Sequence, residues 1–137
     1  MMKMYIFFLF LFLNCTTNLS ASLPDKIQNF LDKHFINNEI EKIKYDEKEE
    51  EYKIKYKNGI KIEFDRNGWV EIESGYTPLP KSIIDILPTP TIDFIAKKYP
   101  RKPIVKIKRK PDGFKVKLEG SIELKFDRRG NILKISD

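Results

Sequence analysis

Two stretches of strict alternation dominate the chain. "EYKIKYKNGIKIEF", Glu51–Phe64, and "GFKVKLEGSIELKF", Gly113–Phe126, set apolar side chains at regular intervals among lysines and glutamates. A period of two is the signature of strands with one dry face and one wet face. Upstream of each stretch lies a segment with the three-and-four spacing of a helix. Ile27, Phe30, Leu31 and Phe35 make one apolar stripe, with Pro24 suited to the first turn. Phe94, Ile95 and Tyr99 make the other, with Thr89 as cap, Pro90 as a starter and Pro100 as the stop. Each predicted helix is about ten residues long, too short to persist alone in water, so its stripe must rest on a sheet.

This order of elements is written twice. Phe30 aligns with Phe94, Phe35 with Tyr99, Ile40 with Ile104 and Ile43 with Ile107 at one offset. After a turn two residues shorter in the second copy, Tyr52, Ile54, Tyr56, Ile60, Ile62 and Phe64 meet Phe114, Val116, Leu118, Ile122, Leu124 and Phe126. A duplication with one deletion accounts for both offsets. The expected fold is α+β: a tandem repeat of a helix plus a four-stranded antiparallel meander, with the helices packed on one face of a continuous antiparallel sheet. The repeats span residues 23–74 and 87–137, joined by a linker at 75–86. One such unit is too small to bury both of its apolar surfaces, whereas two can share a single interior.

Turn chemistry constrains the register, because a slip of one residue would carry every lysine into the core. Lys57, Asn58 and Gly59 form a three-residue loop that pairs Tyr56 with Ile60. Arg66, Asn67 and Gly68, read in the same way, pair Phe64 with Val70 on the inner face and Asp65 with Trp69 on the outer. Arg128, Arg129 and Gly130 pair Phe126 with Ile132, but regular alternation would then turn Leu133 and Ile135 outward and Lys134 inward. A bulge after Ile132 repairs this and is expected there.

The second copy ends its helix with "KKYP" and continues "RKPIVKIKRKPDGFKVKLEGSIELKFDRRGNILKI". This pattern resembles the PepSY-like family of exported bacterial proteins, also described as beta-lactamase-inhibitor-like. The shared features are a "YP" helix end, a "DG" hairpin before an aromatic residue and a "FDxxG" hairpin before the last strand, and the similarity covers essentially the whole chain after its leader. The resemblance implies a tandem α+β fold with helices on one sheet face, and a role in binding or inhibiting another protein through the other face. The first copy departs from the pattern, with "HFINN" in place of "YP" and one residue missing between Gly68 and Trp69. The missing residue leaves open whether Trp69 points outward or rotates inward. No inhibitory motif of the family is matched, so no inhibitory residue is carried across.

The leader is set apart by composition. Residues 1–22, "MMKMYIFFLFLFLNCTTNLSAS", carry an early lysine, an apolar run of nine residues and then small polar residues, which reads as a secretory signal. A membrane-spanning helix needs about 20 apolar residues. Cys15 ends "FLNC", which leaves two outcomes open, a lipid anchor on Cys15 or ordinary cleavage that discards it. The chain is therefore expected to be exported, either periplasmic or associated with the outer membrane. After the leader it has no cysteine, hence no disulfide and no thiolate metal site.

The remaining residues hold little catalytic chemistry. His34 is the sole histidine and sits beside the apolar stripe of the first helix, where a structural role fits it. "DEKEEE", Asp46–Glu51, lacks the glycine and spaced ligands of a calcium loop and reads as a solvated hairpin tip. No glycine-rich phosphate loop is present. The expectation is a chain that is not an enzyme and takes neither cofactor nor metal.

Charge is more informative. Residues 23–74 carry ten basic and thirteen acidic groups, whereas residues 87–137 carry fourteen and six. By alternation the wet face carries Lys53 and Lys55 in the first copy and Lys106, Lys108, Lys115 and Lys117 in the second, among Glu63, Glu71 and Glu123. A lysine-rich wet face discourages sheet aggregation and is common for that reason alone. With Trp69 placed outward by its turn, these residues form the candidate binding set, since exposed tryptophan is enriched at binding hot spots. Two partner classes follow: an envelope or secreted protein docked on the open sheet face, or an anionic envelope polymer or membrane surface held by the cations. Nucleic acid fits poorly, because the chain is expected to be exported and the lysine face has little aromatic interleaving.

Overall fold

The computed structural model describes residues 23–137, so the leader and Cys15 lie outside the described residues. Helix α1 (Asp25–Phe35) is followed by strands β1 (Ile40–Asp46), β2 (Glu51–Tyr56), β3 (Lys61–Asp65) and β4 (Gly68–Glu73). A connector containing the short helix α2 (Lys81–Ile84) leads to α3 (Thr89–Lys98), then β5 (Ile104–Lys110), β6 (Gly113–Leu118), β7 (Ile122–Asp127) and β8 (Ile132–Ser136). The strands form one eight-stranded sheet in sequence order, antiparallel at each of its pairings, with β1 and β8 at its edges.

Both longer helices lie on the same face. The ring of Phe30 meets Phe64 edge-on at 5.3 Å, and Phe35 stacks on Tyr56 at 5.3 Å, which seats α1 over the first four strands. Phe94 meets Phe126 edge-on at 5.8 Å and seats α3 over the last four. Leu79, Ile83 and Leu87 of the connector are buried with them. The interior is one cluster running from Leu23 to Phe126, and it crosses the β4–β5 seam through Ile72 and Ile107. The halves therefore share a core instead of packing as separate bodies.

Caps and turns follow the sequence with two differences. Pro88, not Thr89, stands at the start of α3, and no side chain caps that helix. Thr91 is fully buried and donates its hydroxyl to the Gly130 carbonyl at 3.0 Å, tying α3 to the β7–β8 turn. Gly130 has φ +92, and a Cβ there would lie 2.6 Å from Pro88 Cβ and 2.8 Å from Thr91 Oγ1, so helix and turn can approach only at a glycine. The Lys57–Gly59 loop closes as expected, with Tyr56 and Ile60 bonded at 2.9 Å. The bulge after Ile132 is present: Phe126 pairs with Ile132, Lys125 with Lys134, and Leu133 is the extra residue.

The β3–β4 turn is the second difference. Arg66 and Asn67 alone form the loop, Asp65 pairs with Gly68, and Phe64 pairs with Trp69 rather than Val70. The Asp65 carboxylate accepts from the Asn67 N–H at 2.7 Å and holds the shorter turn. A bulge then restores Glu63 opposite Glu71, with Val70 as the extra residue. Trp69 thus occupies the place that Ile132 has in the second half, on the helix-covered face.

Candidate functional site

The face away from the helices is built by cross-strand pairing of the charged residues. One row runs Lys44, Lys53, Glu63, Glu71, Lys108, Lys115, Lys125 and Lys134 from β1 to β8. The adjacent row runs Lys42, Lys55, Lys61, Glu73, Lys106, Lys117, Glu123 and Ser136. The candidates Lys53, Lys55, Lys106, Lys108, Lys115 and Lys117 all lie in these two rows. Lys53, Lys55 and Lys117 are exposed, and the other three are half-buried by their neighbours on the same face.

An acidic seam divides the lysines. Lys106 lies 3.3 Å from Glu71 and 3.7 Å from Glu73, closing the β4–β5 junction. Burial works against the charge of Lys106, but these two carboxylates outweigh it and hold its pKa above the usual lysine value. Glu63 is pushed upward by burial, then by its hydrogen bond to Glu71 and the charge of that neighbour. For Glu71, burial pushes upward, yet the bond from Glu63 and the Lys106 ammonium keep it below its ordinary value. Lys115 pairs with Glu123. It is nevertheless lowered, by desolvation first and then by the charges of Lys110, Lys125, Lys108 and Lys106. The surface thus carries lysines at both flanks of three carboxylates, Glu63 on β3 and Glu71 and Glu73 on β4, with Lys61 beside them and Glu123 within the far flank.

Trp69 is not part of this surface. The outward position expected from a three-residue turn is corrected by the two-residue turn, which pairs it with buried Phe64. Its ring stacks on Phe114 at 6.4 Å, and the Arg109 guanidinium lies 5.8 Å above it while also reaching Asp65 at 3.7 Å. Phe114, Arg109 and Asp65, with Val70, Lys110 and Arg128, border a cleft of about 440 Å³ beside the β3–β4 turn. Alternation alone could not reveal this cleft. Aligning Trp69 with Ile132 across the missing residue was the one signal that could have.

His34 joins α1 to the connector through Ser82, with Nδ1 and Oγ 2.8 Å apart, and its ring lies 4.6 Å from that of Phe30. Burial, then Lys33, lowers its pKa. At the β1–β2 tip the Asp46 carboxylate accepts from the N–H groups of Lys48 and Glu49 at 3.0 and 3.2 Å, so it is spent on the turn.

Residues 17–68 and 50–134 match the family model described as "Putative beta-lactamase-inhibitor-like, PepSY-like". The chain belongs to this PepSY-like family. Among solved structures it is similar to a "putative calcium-regulated periplasmic protein" from Bacteroides thetaiotaomicron, at 30% identity over 85% of this chain and 92% of that one, with a TM-score of 0.76. It is also similar to a "putative periplasmic protein of unknown function" from Bacteroides vulgatus, at 30% identity, 85% and 94% coverage, and a TM-score of 0.73. A further "putative periplasmic protein" from Bacteroides vulgatus shares 31% identity over 85% and 92%, with a TM-score of 0.73. No curated protein matches the chain.

Proposed function

We propose that this chain is a non-enzymatic, exported binding module of the bacterial envelope, recognising a protein through the open face of its sheet. One observation carries the reading. The helices and connector fill one face with the core, while no element among the described residues covers the two charged rows on the other. A broad face with fixed registers of both signs can select a partner by charge complementarity. Export is supported by the composition of residues 1–22 and by the periplasmic descriptions of similar proteins. The correspondence of the halves, with bulges at Glu41 and Val105 and again at Val70 and Leu133, supports an origin by duplication.

A second reading, a cationic adaptor for an anionic envelope polymer or membrane surface, draws on the row Lys108, Lys115, Lys125 and Lys134, which no carboxylate interrupts. Salt separates the two. Wild type and the double variants Lys53→Glu/Lys55→Glu and Lys115→Glu/Lys117→Glu are immobilised and exposed to envelope extract at about 50 and 200 mM salt. The protein reading predicts a discrete partner retained at the higher salt and lost from at least one variant. Capture of anionic polymer that vanishes at the higher salt favours the adaptor, and identical capture by all three baits overturns both.

A further inference from the structure

The β4–β5 junction shows how a strand is received by an edge of the β5 type. Glu71 stands opposite Lys108, Ile72 opposite Ile107 and Glu73 opposite Lys106, and the Ser74 N–H donates to the Val105 carbonyl at 2.8 Å. The incoming strand therefore reads acidic, apolar, acidic. Its carboxylates stand opposite two lysines on the wet face and both reach Lys106, and its apolar residue covers an isoleucine on the dry face.

β1 presents the same arrangement with no strand beside it among the described residues. Lys42, Ile43 and Lys44 correspond to Lys106, Ile107 and Lys108, and Glu41 is the extra residue of a bulge as Val105 is in β5. The likeness ends at the neighbour. Ile107 is fully buried beneath Ile72, whereas Ile43 keeps part of its surface open. Lys106 reaches two carboxylates, whereas among the described residues neither Lys42 nor Lys44 has one within ion-pair distance. As an edge strand, β1 also leaves every second pair of its backbone groups without a strand partner.

The other edge of this protein does not supply that partner. β8 corresponds to β4, but it carries Lys134 and Ser136 where β4 carries Glu71 and Glu73. Pairing β8 of one copy with β1 of another in the β4–β5 register would set Lys134 against Lys44 and Ser136 against Lys42. Like charges directly opposite are destabilising, so the arrangement disfavours head-to-tail growth of the sheet. Antiparallel pairing of two β1 edges would likewise bring lysines together.

We infer that the β1 edge is a docking site for an extended acidic–apolar–acidic segment of another protein, which adds as a ninth strand in the register that β4 uses on β5. Backbone hydrogen bonds would provide the affinity, and Lys42 and Lys44 the selection for carboxylates. The site lies at the β1 edge, where the two lysine rows end in Lys44 and Lys42, and it differs from the open face in using the free backbone groups of that edge.

The probe is a capped peptide, Gly-Trp-Val-Glu-Ile-Glu-Ser, which copies residues 68–74. A second peptide has lysine at both glutamate positions. Each is titrated into 15N-labelled protein and followed by amide chemical shifts. The acidic peptide is expected to perturb the amides of Ile40–Asp46 first, and the lysine peptide to bind on the order of tenfold more weakly. In Lys42→Glu/Lys44→Glu, whose exposed sites leave the core intact as a melting curve can verify, the preference is expected to reverse. Shifts confined to β8 or to the inner strands β2–β7, equal response to both peptides, or an unchanged preference in the double variant would overturn the proposal.

Discussion

Ile72 and Ile107 face each other across the junction of the two halves, and neither exposes any surface. Each belongs to a different half, yet both are among the most deeply buried side chains. Truncating either to alanine should therefore cost about 3 kcal/mol, and the double variant should depart from additivity because the two share one cavity. Urea unfolding of the two single variants and the double variant measures both quantities. Effects below about 1 kcal/mol would place the junction outside the core.

The aromatic anchors beneath the helices should respond alike. Phe64→Ala and Phe126→Ala each remove a buried ring that a helix phenylalanine meets edge-on, and each should cost about 3 kcal/mol. Lys55→Ala, on the exposed face, should be neutral to within about 0.5 kcal/mol. Equal small effects at all three positions in denaturant titrations would contradict the register.

Trp69 reports on the turn directly. Stacked on Phe114 beneath Arg109, it should emit at short wavelength and resist iodide quenching in the native state. Red-shifted, readily quenched emission would return it to the lysine face.

Glu63 and Glu71 make opposing contributions to the pH dependence. Glu63 binds its proton more tightly in the folded chain, so its stabilisation is present at low pH and lost as pH rises through its raised pKa. Glu71 is held down, so its stabilisation is present at higher pH and lost as pH falls. Glu63→Gln keeps a donor toward Glu71 and removes the repulsion. It should stabilise the protein by about 0.5 kcal/mol at neutral pH, a gain that fades as pH falls through the raised pKa of Glu63. Urea midpoints of both proteins across that range test this, and a loss of stability at neutral pH would contradict it.

The particular residues show what the sequence could and could not reveal. Alternation and glycine turns place Ile54, Ile62, Val116 and Leu124 in the core, and the conflict at Lys134 calls for the bulge found after Ile132. The face of Trp69 stayed open because period two holds only between irregularities: a turn shortened by one residue and a bulge at Val70 flip the face of what lies between them. Helix α2 escaped because four residues carry no period to read. Thr91 gives no apolar signal in the sequence, yet its hydroxyl is satisfied by Gly130, which permits full burial. The lysine rows were legible by face. Their acidic seam depended on which strands become neighbours across the connector, which no local pattern encodes.

The common interior of the two halves is tested most directly by equilibrium unfolding followed with two probes. Trp69 fluorescence reports on the contact between Trp69 of the first half and Phe114 of the second, and far-ultraviolet circular dichroism reports on the whole sheet. Coincident single transitions at one denaturant midpoint are expected. Two separated transitions, with much of the dichroism surviving after the tryptophan signal is lost, would contradict the shared core.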